Sequence, residues 1–267
     1  MIDYYARVAA VMVPHLRGRA LTVIRYPDGV TGKHFFEKRC PSHRPDWVKT
    51  ARVWAGRRAG EIDFCLAEDR PTLIWLAQLA ALEMHPSLSL ATAVDEPTVL
   101  AFDLDPGEPA DLISCCRVAL TIRELFEQQL GMRCFAKTSG SKGMQVYVPL
   151  NSGADYAATR PYAQATAQAL EVAHPDLIVS RMTRALRPGK VLIDWSQNSA
   201  AKTTIAAYSL RARPHPTVST PLRWEEVESA EDPADLSFGA ADVLARIAEH
   251  GDLFEPVLSL RQNLGAD

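Results

Sequence analysis

The stretch Val99-Leu100-Ala101-Phe102-Asp103-Leu104-Asp105-Pro106-Gly107 constrains the fold more than any other part of this 267-residue chain. Pro97 precedes it and Pro106-Gly107 ends it, the boundaries expected of a short strand. Alternation along a strand puts Asp103 and Asp105 on one face and Phe102 and Leu104 on the other. Two positions span roughly 6.6 Å, so converging carboxylates there could bracket two divalent ions about 3.5–4 Å apart. Two acids ending an apolar strand cost folding energy unless something positive sits between them. Read alone, the pair also fits a solvated strand end running into a turn. What decides between the two lies further along the chain.

Upstream, residues 3–16 carry apolar positions at helical spacing, with Gly18 as a stop. Strands follow at 21–25, 34–38, 48–54 and 62–66, with Tyr26-Pro27-Asp28-Gly29 as a turn. Pro71 opens a helix read as running to about Met84 and stopped by His85-Pro86. Beyond the diacid strand, Pro109 and the run to Leu130 suggest a long helix closed by Gly131. Arg133–Lys137 and Gln145–Leu150 read as strands around the polar loop Thr138-Ser139-Gly140-Ser141-Lys142-Gly143. Tyr156–Ala173 is helical, Ser180 caps a further short helix, and Lys190–Asp194 is a strand. Thr203–Ala206 and Tyr208–Arg211 read as strands, and Ala240–His250 as a helix. This mixture, without strict βαβ alternation, predicts an α+β fold around a largely antiparallel sheet.

No apolar run approaches the roughly 18 residues that span a bilayer. The N-terminus has neither the basic start nor the apolar core of a signal peptide, so the expectation is a cytoplasmic protein without membrane partners. Five cysteines, odd in number and irregularly spaced, argue against a disulfide framework. Cys40 and His43, with His34 nearby, have no second ligand pair to make a zinc site. Cys115 and Cys116 read as buried small hydrophobes.

A net charge of −3 looks unpromising for a nucleic-acid binder, but the average hides segregation. Between Asp176 and Glu225 the single acid is Asp194, among Arg181, Arg184, Arg187, Lys190, Lys202, Arg211, Arg213 and Arg223. Such a tract is either a solvated basic face or a polyanion-facing surface with a metal ligand embedded in it. Asp103, Asp105 and Asp194 then offer hard oxygen ligands for Mg²⁺ or Mn²⁺ from two strands. The Ser139–Gly143 loop lets backbone N–H groups and hydroxyls approach phosphate oxygens, and Lys142 adds charge. It is not a Walker A motif, and taken alone it is also an ordinary hairpin turn. Arg181, Arg184 and Arg187, spaced by three, read as one side of a helix.

Phe36-Glu37-Lys38, Glu83-Met84-His85, Phe102–Gly107, Thr138–Gly143, Leu192–Asn198, Lys202-Thr203-Thr204 and Tyr208–Arg213 occur together and in this order. The set resembles the polymerase domain of bacterial end-joining DNA ligases, a branch of the archaeo-eukaryotic primase superfamily. The resemblance covers essentially the whole chain and implies one primase-polymerase catalytic domain over 1–267. It implies a template-dependent nucleotidyltransferase that favours ribonucleotides, extends a primer 3′-hydroxyl in short gaps during repair, and uses two Mn²⁺ (or Mg²⁺) ions. By position, Asp103, Asp105 and Asp194 would be the catalytic metal ligands. Lys38, His85, Ser139, Ser141, Lys142, Arg187, Gln197 and Arg211 would contact the nucleotide. Arg57, Arg58, Asn198, Lys202 and Arg213 would handle template or primer in gapped DNA. Relatives usually begin with a Leu-Thr-Asn-x-Asp-Lys-type segment that binds a 5′-phosphate; this chain starts after it, so weaker dependence on a downstream phosphate is expected. A separately encoded ATP-dependent ligase is the expected partner. The alternatives are a non-catalytic nucleic-acid-binding relative and a two-metal phosphohydrolase.

Overall fold

The structure, a computed structural model, describes residues 1–56 and 58–265. In chain order the first elements are α1 (Ile2–Leu16), β1 (Leu21–Arg25), β2 (Phe35–Glu37), β3 (Thr50–Trp54) and β4 (Glu61–Cys65). Then come α2 (Arg70–Gln78), β5 (Ala81–Pro86), β6 (Val99–Pro106), α3 (Leu112–Arg123), β7 (Phe135–Thr138) and β8 (Met144–Pro149). They are followed by α4 (Tyr156–Ala173), β9 (Ile178–Val179), β10 (Val191–Asp194), β11 (Leu210–Arg211), β12 (Thr217–Val218) and β13 (Pro221–Leu222). Helices α5 (Trp224–Ser229), α6 (Ala240–His250) and α7 (Pro256–Ser259) complete the chain. Among the described residues the fold is α+β, with nearly all pairing antiparallel, as expected from the sequence.

The chain divides into two compact units, each assembled from three segments. One comprises Met1–Asp95, Ala200–Ser219 and Phe238–Asp252; the other comprises Glu96–Ser199, Thr220–Ser237 and the residues from Leu253.

In the first unit β1 is the centre of a five-stranded sheet, pairing antiparallel with β2, β4 and β5. Helix α1 buries Tyr4, Tyr5, Val8, Met12 and Leu16 on one stripe and packs against α2. Asp69 caps α2 by accepting from the Thr72 N–H at 2.8 Å. The helix expected to reach Met84 stops at Gln78. Ala80 turns left-handed with φ 59°, and Ala81–Pro86 continues as a strand against β1. Strand pairing overrides a local apolar spacing that reads as helix.

The second unit is a six-stranded sheet in the order β13-β7-β8-β6-β10-β9, antiparallel except between β9 and β10. Phe102 and Leu104, both fully buried, face the helix side, where Phe102 meets Phe126 at 5.6 Å between ring centroids and α3 and α4 cover β6. Asp103 and Asp105 therefore emerge on the opposite face. The helix starts later than the first turn expected at Pro109: α3 begins at Leu112 and is capped by Asp111, which accepts from the Ser114 N–H. The expected helix after Ser180 is a single 3₁₀ turn, Arg184–Leu186. So the arginines at spacing three do not share a helical side: Arg181 pairs with Glu171 at 3.2 Å, while Arg187 turns to Asp105.

The cysteine reading also changes. Cys40 and Cys65 form a disulfide, which removes Cys40 from any zinc site. The Cys40 N–H donates to the Asp63 carbonyl, so backbone pairing beside β4 brings together two cysteines 25 positions apart. Cys115, Cys116 and Cys134 are free and buried, as expected of the first two. No helix of the described residues is long and apolar enough to cross a membrane.

Candidate active site

Register decides which side chains meet. β10 pairs with β6 so that Asp194 stands opposite Asp103, and β8 pairs on the other side so that Gln145 stands opposite Asp103. One strand further, Lys137 of β7 faces Gln145. Directly opposite residues share a face, so Asp194, Asp103, Gln145 and Lys137 form one row across four strands. Asp105, two positions on, joins that face.

The row is electrostatically tense. Burial pushes the Asp103 carboxyl up to about 6, against the hydrogen bond it accepts from Gln145 Nε2 at 3.1 Å. The charges of Asp194 and Asp105 raise it further, and Lys137 offsets part of the rise. Lys137 is itself fully buried. The Gln145 Oε1 has no hydrogen-bond partner among the described residues.

Two glycines let backbone close on the ends of the acid strand. A Cβ at Gly143 would lie 2.2 Å from the Leu104 carbonyl oxygen, so only glycine lets this loop settle between Asp103 and Asp105. Within the loop, Ser139 Oγ accepts from the N–H groups of Ser141 and Gly143 at 3.2 and 3.3 Å, and Lys142 is exposed. A Cβ at Gly107 would lie 2.2 Å from the Arg187 carbonyl oxygen. That approach seats the Arg187–Lys190 turn on the end of β6, where Arg187 Nη1 lies 3.6 Å from Asp105 Oδ2.

As arranged, each carboxylate is drawn to a donor of its own. Asp194 accepts from the Ser196 N–H and hydroxyl at 3.0 and 2.6 Å, and from Gln197 Nε2 at 2.8 Å. Among the described residues no three His, Cys, Asp or Glu side chains converge as a metal-ligand group. The donor chemistry nonetheless fits a hard divalent ion: three carboxylates on neighbouring strands, acceptor-only when ionised.

The second unit thus brings together Asp103, Asp105, Asp194, Ser139, Ser141, Lys142, Arg187 and Gln197. Lys38, His85 and Arg211 belong to the first unit, as do Arg58, Lys202 and Arg213. His85 lies on β5 rather than at a helix end, and Lys38, Arg58, Lys202 and Arg213 are exposed. Arg57 lies outside the described residues. Asn198 corrects the expectation of a nucleic-acid contact. It is fully buried, accepts from the Ala101 N–H at 2.9 Å and donates to the Ala101 and Trp195 carbonyls at 2.8 and 2.9 Å. Its amide continues the ladder where β10 ends.

Sequence reasoning passed over Lys137, Gln145 and Glu83. The signal was there for Lys137 and Gln145: each is a long polar side chain in a short, buried strand that is otherwise mostly apolar.

A largely antiparallel sheet with an acid pair on the face away from its helices and a Ser-Gly-Lys loop folded onto it is a primase-polymerase type of core. The chain belongs to the family described as LigD, primase-polymerase domain, which matches residues 1–254. It is 41% identical over 259 residues to the multifunctional non-homologous end joining protein LigD of Mycolicibacterium smegmatis, covering 96% of this chain and 33% of that protein. The bifunctional non-homologous end joining protein LigD of Bacillus subtilis is 34% identical over 251 residues, covering 94% of this chain and 39% of that protein. The chain therefore spans about a third of the length of these relatives. The polymerase domain from Mycobacterium tuberculosis Ligase D, solved in complex with DNA, superposes with a TM-score of 0.89 at 40% identity, covering 98% of this chain and 92% of that one.

Proposed function

We propose that this chain acts, as one catalytic domain over 1–267, as a template-dependent nucleotidyltransferase in end-joining repair, extending a primer 3′-hydroxyl across short gaps in DNA. The observation that carries this reading is the cross-strand pair Asp103–Asp194, with Asp105 on the same face, in a chain of the LigD primase-polymerase family. The 3′-oxygen forms a bond to the α-phosphorus of a nucleoside triphosphate, and the bond to the leaving pyrophosphate breaks.

Asp103, Asp105 and Asp194 would hold one or two divalent ions, Mn²⁺ or Mg²⁺. Such ions lower the pKa of a coordinated hydroxyl and neutralise charge at phosphate. An ion held there would compete with Arg187 for Asp105 and with Ser196 and Gln197 for Asp194, while Gln145 would keep orienting Asp103. Ser139, Ser141 and the loop N–H groups would cradle phosphate oxygens, with Lys142 and Arg187 supplying charge and Gln197 nearby. Lys38, His85 and Arg211 keep the nucleotide role implied by the resemblance, and Arg58, Lys202 and Arg213 that of DNA contacts. Ribonucleotide preference is part of the same proposal.

Primer extension on gapped DNA with Mn²⁺ tests this, comparing the wild type with Asp103→Ala/Asp105→Ala. Template-directed incorporation that is lost in the double variant supports the reading. Equal incorporation by both would sink the carboxylate assignment, and release of mononucleotides from DNA without triphosphate would mark a hydrolase instead.

A further inference from the structure

Glu83 is a carboxylate that is only 4% exposed yet surrounded by donors from two of the three segments of the first unit. Its Oε2 faces His85 Nε2 at 3.1 Å and Arg211 Nη1 at 3.3 Å. Its Oε1 accepts from the Ala212 N–H at 3.0 Å and the Tyr26 hydroxyl at 3.4 Å. Burial works to raise this carboxyl, but the His85 hydrogen bond, the Arg211 charge and the Ala212 N–H together hold it below its ordinary value.

The backbone around Arg211 is held to β5 by other means. The Tyr5 hydroxyl donates to the Leu82 carbonyl at 2.6 Å and accepts from the Leu210 N–H at 3.1 Å. Ser209 Oγ accepts from the Met84 N–H at 2.9 Å, and the Ala206 N–H donates to the Met84 carbonyl at 2.9 Å. These contacts would survive the loss of Glu83. What the carboxylate adds is the aim of two side chains, since His85 sits two positions along the same strand face and Arg211 reaches in from β11. Both remain partly accessible, at 14% and 22% exposure, while Glu83 beneath them is not. An Arg guanidinium and an imidazole set side by side form a receptor for phosphate oxygens, and a single anion beneath them fixes their spacing.

We infer that Glu83 is a positioning residue that holds His85 and Arg211 as a paired donor for the triphosphate of the incoming nucleotide. The inference rests on the nucleotidyltransferase reading above and adds to it a residue that does not itself touch the substrate.

The test is steady-state primer extension by the full chain, titrating the nucleoside triphosphate, for Glu83→Gln, Arg211→Ala, His85→Ala and Glu83→Gln/Arg211→Ala. Glu83→Gln is expected to raise KM for the nucleotide about tenfold, the size of one charge-assisted hydrogen bond, with kcat within about twofold of wild type. The double variant is expected to be no worse than Arg211→Ala alone, because both remove the same arrangement. A wild-type KM in Glu83→Gln, or effects that multiply in the double variant, would overturn the inference. A wild-type KM in both Arg211→Ala and His85→Ala would instead overturn their nucleotide role. If Glu83→Gln does not fold, Glu83→Asp carries the test: it keeps the charge but withdraws it by one methylene. A raised KM then supports positioning, and an unchanged KM refutes it.

Discussion

Asp103 and Asp194 are direct cross-strand partners on β6 and β10, two like charges set face to face on one side of an antiparallel pair. Directly opposed like charges destabilise a sheet. The arrangement persists because Gln145 and Lys137 occupy the same row from the other side.

Gln145 therefore orients a proposed metal ligand without being one. Gln145→Ala is expected to raise the Mn²⁺ concentration needed for half-maximal primer extension by about 10- to 100-fold, as loss of an outer-shell partner does. A metal titration at saturating nucleotide reads this directly. An unchanged half-maximal concentration would show that Asp103 is oriented by other groups.

Asn198 spends its amide on the backbone of β6. Asn198→Ala leaves the Ala101 N–H and carbonyl buried without these partners, and is expected to lower stability by about 3 kcal/mol. Chemical denaturation measures the loss. A stable variant with weakened DNA binding would instead restore the nucleic-acid role expected from the sequence.

The Cys40–Cys65 disulfide closes a loop of 25 positions. Chain-entropy arguments assign such a loop about 3 kcal/mol. Cys65→Ser is expected to show that loss, and dithiothreitol to lower the melting temperature of the wild type but not of the variant. Mass analysis under denaturing, non-reducing conditions should find three of the five cysteines alkylated.

Glu171 has a carboxyl held below its ordinary value, first by the Ser180 hydroxyl and then, against a desolvation cost, by the Ser180 N–H and Arg181. A depressed folded-state value gives stability that is present above the unfolded value near 4.5 and lost as pH falls through the folded one. Glu171→Gln should therefore be less stable than wild type at pH 7, with the gap narrowing below pH 4.5. Urea midpoints measured across that range decide it; a gap independent of pH would mean that the carboxylate charge is irrelevant there.

Much of this architecture is written locally. The diacid strand is bounded by its own prolines, α1 by its apolar stripe and Gly18, and α4 by Asp155. What escaped was decided between segments. Leu73, Leu76, Leu79 and Leu82 keep a helical spacing, and only pairing with β1 turns Ala81–Pro86 into a strand. The alternation of β6 places Asp103 and Asp105 on one face, but no local pattern says that Gln145 and Lys137 stand in line with them. Asn198 was misjudged for a related reason. A polar residue in a polar tract reads as surface until a strand end with unpaired backbone groups is placed beside it.

Because each compact unit draws on three stretches of the polypeptide, no single cut yields either one intact. On the ribosome the first unit is not complete until Asp252 has been synthesised, after most of the other unit has been made. Attempts to dissect the protein should therefore splice segments together rather than truncate. A fusion partner inserted at a loop tip disturbs this order less than one that splits the chain.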